Sequence, residues 1–212
     1  YIINDDKTKS GMDDPKTVEA MEMLEGWIKD GVLPPIETMS ENGEDVLLES
    51  GKVAMVPQGS WMIAAFRDNE YTAENCDCVE LPKSATTGRR ASLYNGLGWA
   101  AAANTEHPEE AWQLIEYLGS KEAQEKQAEL GVTMSAYTGT SEAWAKSADF
   151  NLQAYINMMD DMEIRPYSRS TVTWENKNSE ILKSVYSGDK TMADACKEMA
   201  EQMNESLAEE QQ

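Results

Sequence analysis

The sequence predicts a helix-rich α/β protein. Capped amphipathic segments recur along the chain, short apolar runs sit between Gly and Pro breakers, and the two kinds alternate in the first half. Periodicity and punctuation give roughly eight helices but only three or four strands. So few strands in 212 residues lead us to expect that some sheet partners lie outside this chain.

The elements follow in order. Asp14-Pro15 supplies an N-cap and a proline at the first helical position. Val18, Met21, Leu24 and Ile28 then recur at helical spacing, with Trp27 on the same apolar face, and Gly31 closes the helix. Leu47 and Leu48 mark a short acidic helix ending at Gly51. Lys52 to Pro57 reads as a strand, and Gln58-Gly59-Ser60-Trp61 as a turn capping a helix from Trp61 to about Arg67. Cys78 to Pro82 resembles another strand end. Residues 83–90 form a polar loop, and Leu93 to Ala103 reads as a buried strand interrupted by Gly96 and Gly98.

The second half is helical. Pro108 to Gly119 places Trp112, Ile115 and Leu118 inward, and Ser120 caps a helix ending at Gly131. Helices are expected over residues 141–162, broken near Asp149, and over 175–186. The last begins at Thr191, which pairs with Asp194 like a capping box, and runs on an Ala195, Met199, Met203 seam. Glu209 to Gln212 reads as a frayed end.

Composition narrows the function. Eighteen basic against 39 acidic residues give a net charge of -21, which repels a phosphate backbone and excludes nucleic acid as a partner. No run approaches the ~18 apolar residues of a membrane span. The chain opens on Tyr1 without a basic or apolar leader, so any signal or anchor is expected upstream. Cys76, Cys78 and Cys196 lack metal or redox spacing, and a pairing with Cys196 would leave an odd thiol; they read as small buried or idle thiols. No cofactor is expected.

Catalytic signals are weak. His107 is the one histidine and stands at a helix start, and no nucleophile-elbow or metalloprotease motif is present. In a chain this acidic, Glu109-Glu110 or Asp160-Asp161 says nothing of glycosidase chemistry. Aromatics in loops say more. Trp61 follows Gly59-Ser60 after a strand, and Trp174 ends the polar stretch from Arg169. Indole faces lie flat on sugar C–H faces while Asn, Arg and Glu bond the hydroxyls. Trp61 and Trp174 therefore read as ligand contacts, Trp27 and Trp112 as core, and Trp99 fits either.

Four segments in this order resemble one family. They are Thr17 to Pro34, Glu49 to Trp61 (E-S-G-K-V-A-M-V-P-Q-G-S-W), Asn95 to Trp112, and Trp174 through Gly188-Asp189-Lys190-Thr191 to Ala195. Together they are similar to the family 1 extracellular solute-binding proteins of carbohydrate ABC transporters, the maltose-binding-protein-like group. The resemblance implies a periplasmic-binding-protein-like (type II) two-lobe fold, of which this is a partial C-terminal portion. Residues 1–93 would belong to the C-terminal lobe, 94–136 to the N-terminal lobe, and 137–212 to the C-terminal lobe again.

The implied function is non-enzymatic. A mono- or oligosaccharide would be captured in an inter-lobe cleft and passed to permease subunits, on a periplasmic or cell-surface lipoprotein outside the cytoplasm. The N-terminal lobe would be the remaining partner. Implied ligand contacts are Gly59, Ser60 and Trp61, then Asn95, Gly96, Gly98 and Trp99, then Arg169, Trp174 and Glu175. The family's maltose binders carry a second aromatic where Glu175 stands, and a carboxylate suits a hydroxyl or a cation. That argues against maltose itself and leaves a polyamine or sugar derivative as the alternative, with a glycosidase-related fragment behind it.

Overall fold

The computed structural model describes residues 1–211; Gln212, the tip of the expected frayed end, lies outside the described residues. Helices α1 (Pro15–Lys29), α2 (Ile36–Asn42) and α3 (Glu44–Glu49) are followed by a 3-10 turn (Ser60–Met62), α4 (Ile63–Asp68) and α5 (Glu70–Asn75). Strand β1 (Ser92–Tyr94) precedes α6 (Pro108–Leu118), α7 (Lys121–Glu129), α8 (Ser141–Trp144) and α9 (Gln153–Asn157). Strand β2 (Met162–Ile164) leads to α10 (Thr171–Tyr186) and α11 (Met192–Glu209).

The chain forms two compact units. One joins Tyr1–Asn42 to the chain from Pro166 onward, and the other is Gly43–Arg165. In the second unit, Ala128 of α7 is buried with Ile63, Trp144 and Leu152.

In the first unit, α11 supplies the core. Met192, Ala195, Met199, Met203 and Leu207 repeat at helical spacing and are all buried, so the expected seam is the observed one. Thr191 Oγ1 accepts from the Asp194 amide at 3.1 Å and bonds its carboxylate at 2.7 Å, closing the N-terminus. Helix α10 lies along this seam through Trp174, Ile181 and Val185. Asp14 caps α1, accepting from the Lys16 amide at 2.9 Å, and Gly31 takes the left-handed φ of 72° beyond its end. Trp27, expected in the core, is 40% exposed on α1.

Glu210 is no frayed end. Its carboxylate accepts from the Ser168 hydroxyl (2.7 Å), the Arg169 amide (3.0 Å), and the Ser170 amide (2.7 Å) and hydroxyl. It thus caps α10 from a distant part of the chain, satisfying amides that the helix itself cannot. Desolvation would raise this carboxyl, but the hydrogen bonds from Ser170, Ser168 and Arg169 outweigh it and pull it from 4.5 down to about 2. A folded-state value below the unfolded one stabilises above pH 4.5 and loses that contribution as pH falls toward 2. Glu210→Gln should therefore lower the melting temperature at neutral pH, and the gap should narrow on acidification. A pH-independent gap would mean that the charge contributes nothing.

Strand predictions fared differently. Lys52 to Pro57 is not a strand: the Lys52 and Val53 amides turn back to the Leu47 carbonyl (2.9 and 3.3 Å), across left-handed Gly51, and finish α3. Cys78 to Pro82 is irregular; the Asn151 side chain reaches the Cys78 carbonyl at 3.2 Å. Of Leu93 to Ala103, only the start is strand, pairing in parallel with β2 in the register Ser92–Met162 and Tyr94–Ile164. The rest is exposed. An extended segment is a strand only where a neighbour takes its backbone groups, and among the described residues β2 supplies just three positions.

Candidate ligand-binding surface

The Gln58–Trp61 turn is built tightly from local bonds. The Gln58 side chain donates to Glu44 at 3.1 Å and accepts from the Gly59 amide at 2.9 Å, while its carbonyl receives the Tyr155 hydroxyl at 3.1 Å. Ser60 Oγ bonds Thr133 Oγ1 at 2.8 Å and receives the Met134 amide at 3.4 Å. Gly59 is required by close approach: a Cβ there would stand 2.2 Å from the Trp61 ring. The indole thus folds over its own turn, yet Trp61 remains 52% exposed. Gly59, Ser60 and Trp61 thus form one feature, held in place by these bonds.

That turn rests on a packed base. Trp144 is fully buried and meets Tyr155 edge-on, with centroids 5.6 Å apart and planes at 87°. Burial, with the charge of Cys78 second, pushes the Tyr155 phenol up to about 12, so it stays a donor to Gln58. Burial likewise raises the Cys78 thiol to about 11, ahead of the Asp77 and Cys76 charges, which keeps it protonated and unreactive. Cys76, Cys78 and Cys196 are all free thiols.

The other candidates divide. Asn95, Gly96, Gly98 and Trp99 lie beyond β1 on exposed backbone, and a Cβ at Gly98 would meet nothing within 4 Å. Arg169 is exposed in the loop that Glu210 holds, and Glu175 is half-buried on α10. Trp174 is corrected. It is 3% exposed inside the first unit's core, and its indole N–H donates to Ser168 Oγ at 3.0 Å. With its ring surrounded by core and its donor satisfied, no face is open to stack on a sugar. Trp112 is also corrected, in the opposite sense: expected inward, it is 64% exposed on α6.

His107 is exposed, with Nδ1 4.0 Å from Glu110. Among the described residues, no three His, Cys, Asp or Glu side chains gather where they could hold a metal ion, and no helix is long and apolar enough to cross a membrane.

Known proteins share this fold. The profile of the bacterial extracellular solute-binding proteins matches residues 2–160. No curated protein matches the chain. Among solved structures, an ABC substrate-binding protein from Listeria monocytogenes in complex with cycloalternan is similar, with a TM-score of 0.82 and 17% identity. The match covers 98% of this chain and 53% of that one. A cyclic α-maltosyl-1,6-maltose binding protein from Arthrobacter globiformis gives a TM-score of 0.67 and 17% identity, over 98% of this chain and 52% of that one. The chain therefore spans about half the length of either structure. With the family profile covering well over half of the sequence and a shared fold beside it, the chain belongs to the bacterial extracellular solute-binding proteins.

Proposed function

We propose that the chain is part of the substrate-binding component of an ABC transporter, which captures a mono- or oligosaccharide reversibly outside the cytoplasm and does not transform it. One observation carries this reading: Trp61 keeps an exposed indole on a turn whose neighbours are hydrogen-bonded in place. An aromatic face held open in water offers stacking without the cost of ordering it on binding. Structures of the same fold solved with cycloalternan, or named for cyclic α-maltosyl-1,6-maltose, support a saccharide over a polyamine. Gly59 and Ser60 shape the turn; Asn95, Gly96, Gly98, Trp99, Arg169 and Glu175 remain candidate hydroxyl and ring contacts.

Trp61→Ala tests this directly. Loss of an aromatic contact of ~1–3 kcal/mol lowers affinity about five- to 100-fold. Calorimetric titration of the full-length protein should show that loss while the unliganded melting curve hardly moves. Unfolding of the unliganded variant, with normal binding by what stays folded, would make Trp61 a core residue instead.

The exposed apolar residues of α6 support a further reading. Trp112, Leu114 and Tyr117 are all exposed on this helix, and exposed large apolar side chains of this kind mark interaction surfaces when they gather. We infer that another part of the same protein, the rest of the expected N-terminal lobe, covers residues 94–118. An apolar dye should bind the 212-residue chain and bind less after Trp112→Ser; unchanged dye binding would refute this.

A further inference from the structure

Half of the Trp61 surface faces solvent, so packing around the ring does not fix it, and the backbone of its turn sets its direction. That backbone is anchored at both ends. Before the turn, Gln58 is held by Tyr155 and Glu44; after it, Ile63 is buried with Trp144 and Leu152. No side chain caps the 3-10 turn between them. From Gly59 to Met62, the one side chain that hydrogen-bonds among the described residues is that of Ser60. Its partner at 2.8 Å is the Thr133 hydroxyl, 73 residues away. No pattern in the sequence singles out Thr133.

Thr133 is itself held from both sides. Before it, the Gly131 amide bonds the Ala128 carbonyl at 3.1 Å and the Val132 amide bonds the Gln127 carbonyl at 3.3 Å, closing the end of α7. After it, Ser135 Oγ donates to the Gln124 side chain of α7 at 2.8 Å and accepts the Tyr137 amide at 3.1 Å. Gln124 is held in turn, donating to the Leu118 carbonyl at 2.8 Å. The Met134 amide adds a second bond to the same Ser60 oxygen at 3.4 Å. Thr133 therefore reaches the turn from a segment whose neighbours are fixed, and it defines where Ser60 sits. Trp61 is the next residue. An aromatic contact binds well only when the backbone that carries it is held by supporting bonds, because a loose one must be ordered by the ligand.

We propose that Thr133 is a positioning residue of the saccharide site: through Ser60, its hydroxyl sets the direction in which Trp61 presents its indole. This rests on the reading of Trp61 as a stacking contact. The Thr133 hydroxyl is engaged by Ser60, so its effect on the ligand passes through the indole and vanishes where the indole is missing. A residue that only stabilised the fold would move the melting curve and leave affinity alone. A residue that touched the ligand itself would matter with or without Trp61.

The test is a double-mutant cycle on the full-length protein, titrated calorimetrically with cycloalternan and cyclic α-maltosyl-1,6-maltose. Thr133→Val keeps the branched shape and removes the hydroxyl; it should weaken binding about two- to tenfold, the range of one neutral hydrogen bond. Thr133→Ser restores the hydroxyl and should bind like the wild type. In the Trp61→Ala background, Thr133→Val should cause no further loss, a readout that a purely structural role would not give. Ser60→Ala breaks the pair from the other side and carries the same comparison if Thr133→Val melts too low to titrate. Wild-type affinity in Thr133→Val, or an equal loss with and without the Trp61 indole, overturns the positioning role. If Trp61→Ala weakens binding while Thr133→Val does not, the stacking reading stands and the positioning role alone falls. If Trp61→Ala binds like the wild type, or the wild type binds neither saccharide, the reading beneath fails and Thr133 with it.

Discussion

Trp174→Ala should destabilise the unliganded protein by about 3–5 kcal/mol, the usual cost of emptying a buried tryptophan site. Trp174 lies in the cluster with Met199, Met203 and Val185, and relaxation can close only part of the hole left there. A second loss follows. The indole N–H is the donor to Ser168 Oγ, which in turn donates to Glu210, so truncation also loosens the cap of α10. Trp174→Phe keeps most of the volume and should cost less, on the order of 1–2 kcal/mol, mainly for the missing donor. Urea denaturation of both variants without ligand checks this. If Trp174→Ala stays within about 1 kcal/mol of wild type, the indole is not core and its earlier reading as a ligand contact revives.

The second large effect belongs to Trp144→Ala, also about 3–5 kcal/mol. Trp144 is fully buried with Ile63, Ala128 and Leu152, and it holds Tyr155 by an edge contact. Tyr155 in turn holds Gln58, next to the Trp61 turn. Loss of Trp144 should therefore weaken ligand binding as well as stability, even in the fraction that remains folded. Its indole nitrogen is buried without a hydrogen-bond partner among the described residues. Trp144→Phe removes that unsatisfied donor, which offsets part of the cavity cost, so a loss of under ~2 kcal/mol is expected. A Phe variant as damaged as the Ala variant would show that the nitrogen has a partner after all.

Local signals were legible and partner-dependent ones were not. Asp14 before Pro15, Ser120, and Thr191 with Asp194 cap their helices as their sequences imply, because a cap needs only the next few residues. The Ala195, Met199, Met203 seam reads directly from its spacing. The faces of α1 and α6 did not: periodicity says which side is apolar, but not whether anything covers it, and Trp27 and Trp112 stay exposed. Strands failed for a similar reason, since an apolar run becomes a strand only when a distant segment pairs with it.

Trp174 was misread because the polar run from Arg169 to Thr173 hid the helix start. Helix α10 begins at Thr171, and Trp174 shares a face with Asn178, Ile181 and Val185. The spacing of 174, 178, 181 and 185 was available and would have marked the tryptophan as core. Glu210 with Ser170, and Ser60 with Thr133, join residues far apart in the chain, and no local pattern announces them. The Glu49-to-Trp61 segment was legible as a family feature, and the structure gives the physical reason for its glycine in the indole folded over Gly59.

The most direct test of the account is calorimetric titration of the full-length wild-type protein with cycloalternan, cyclic α-maltosyl-1,6-maltose and spermidine, with the ligand recovered afterwards. Saturable binding of a saccharide that is recovered intact, with no response to spermidine, is the predicted result. Binding of spermidine alone, or release of new reducing ends from the saccharide, would contradict it.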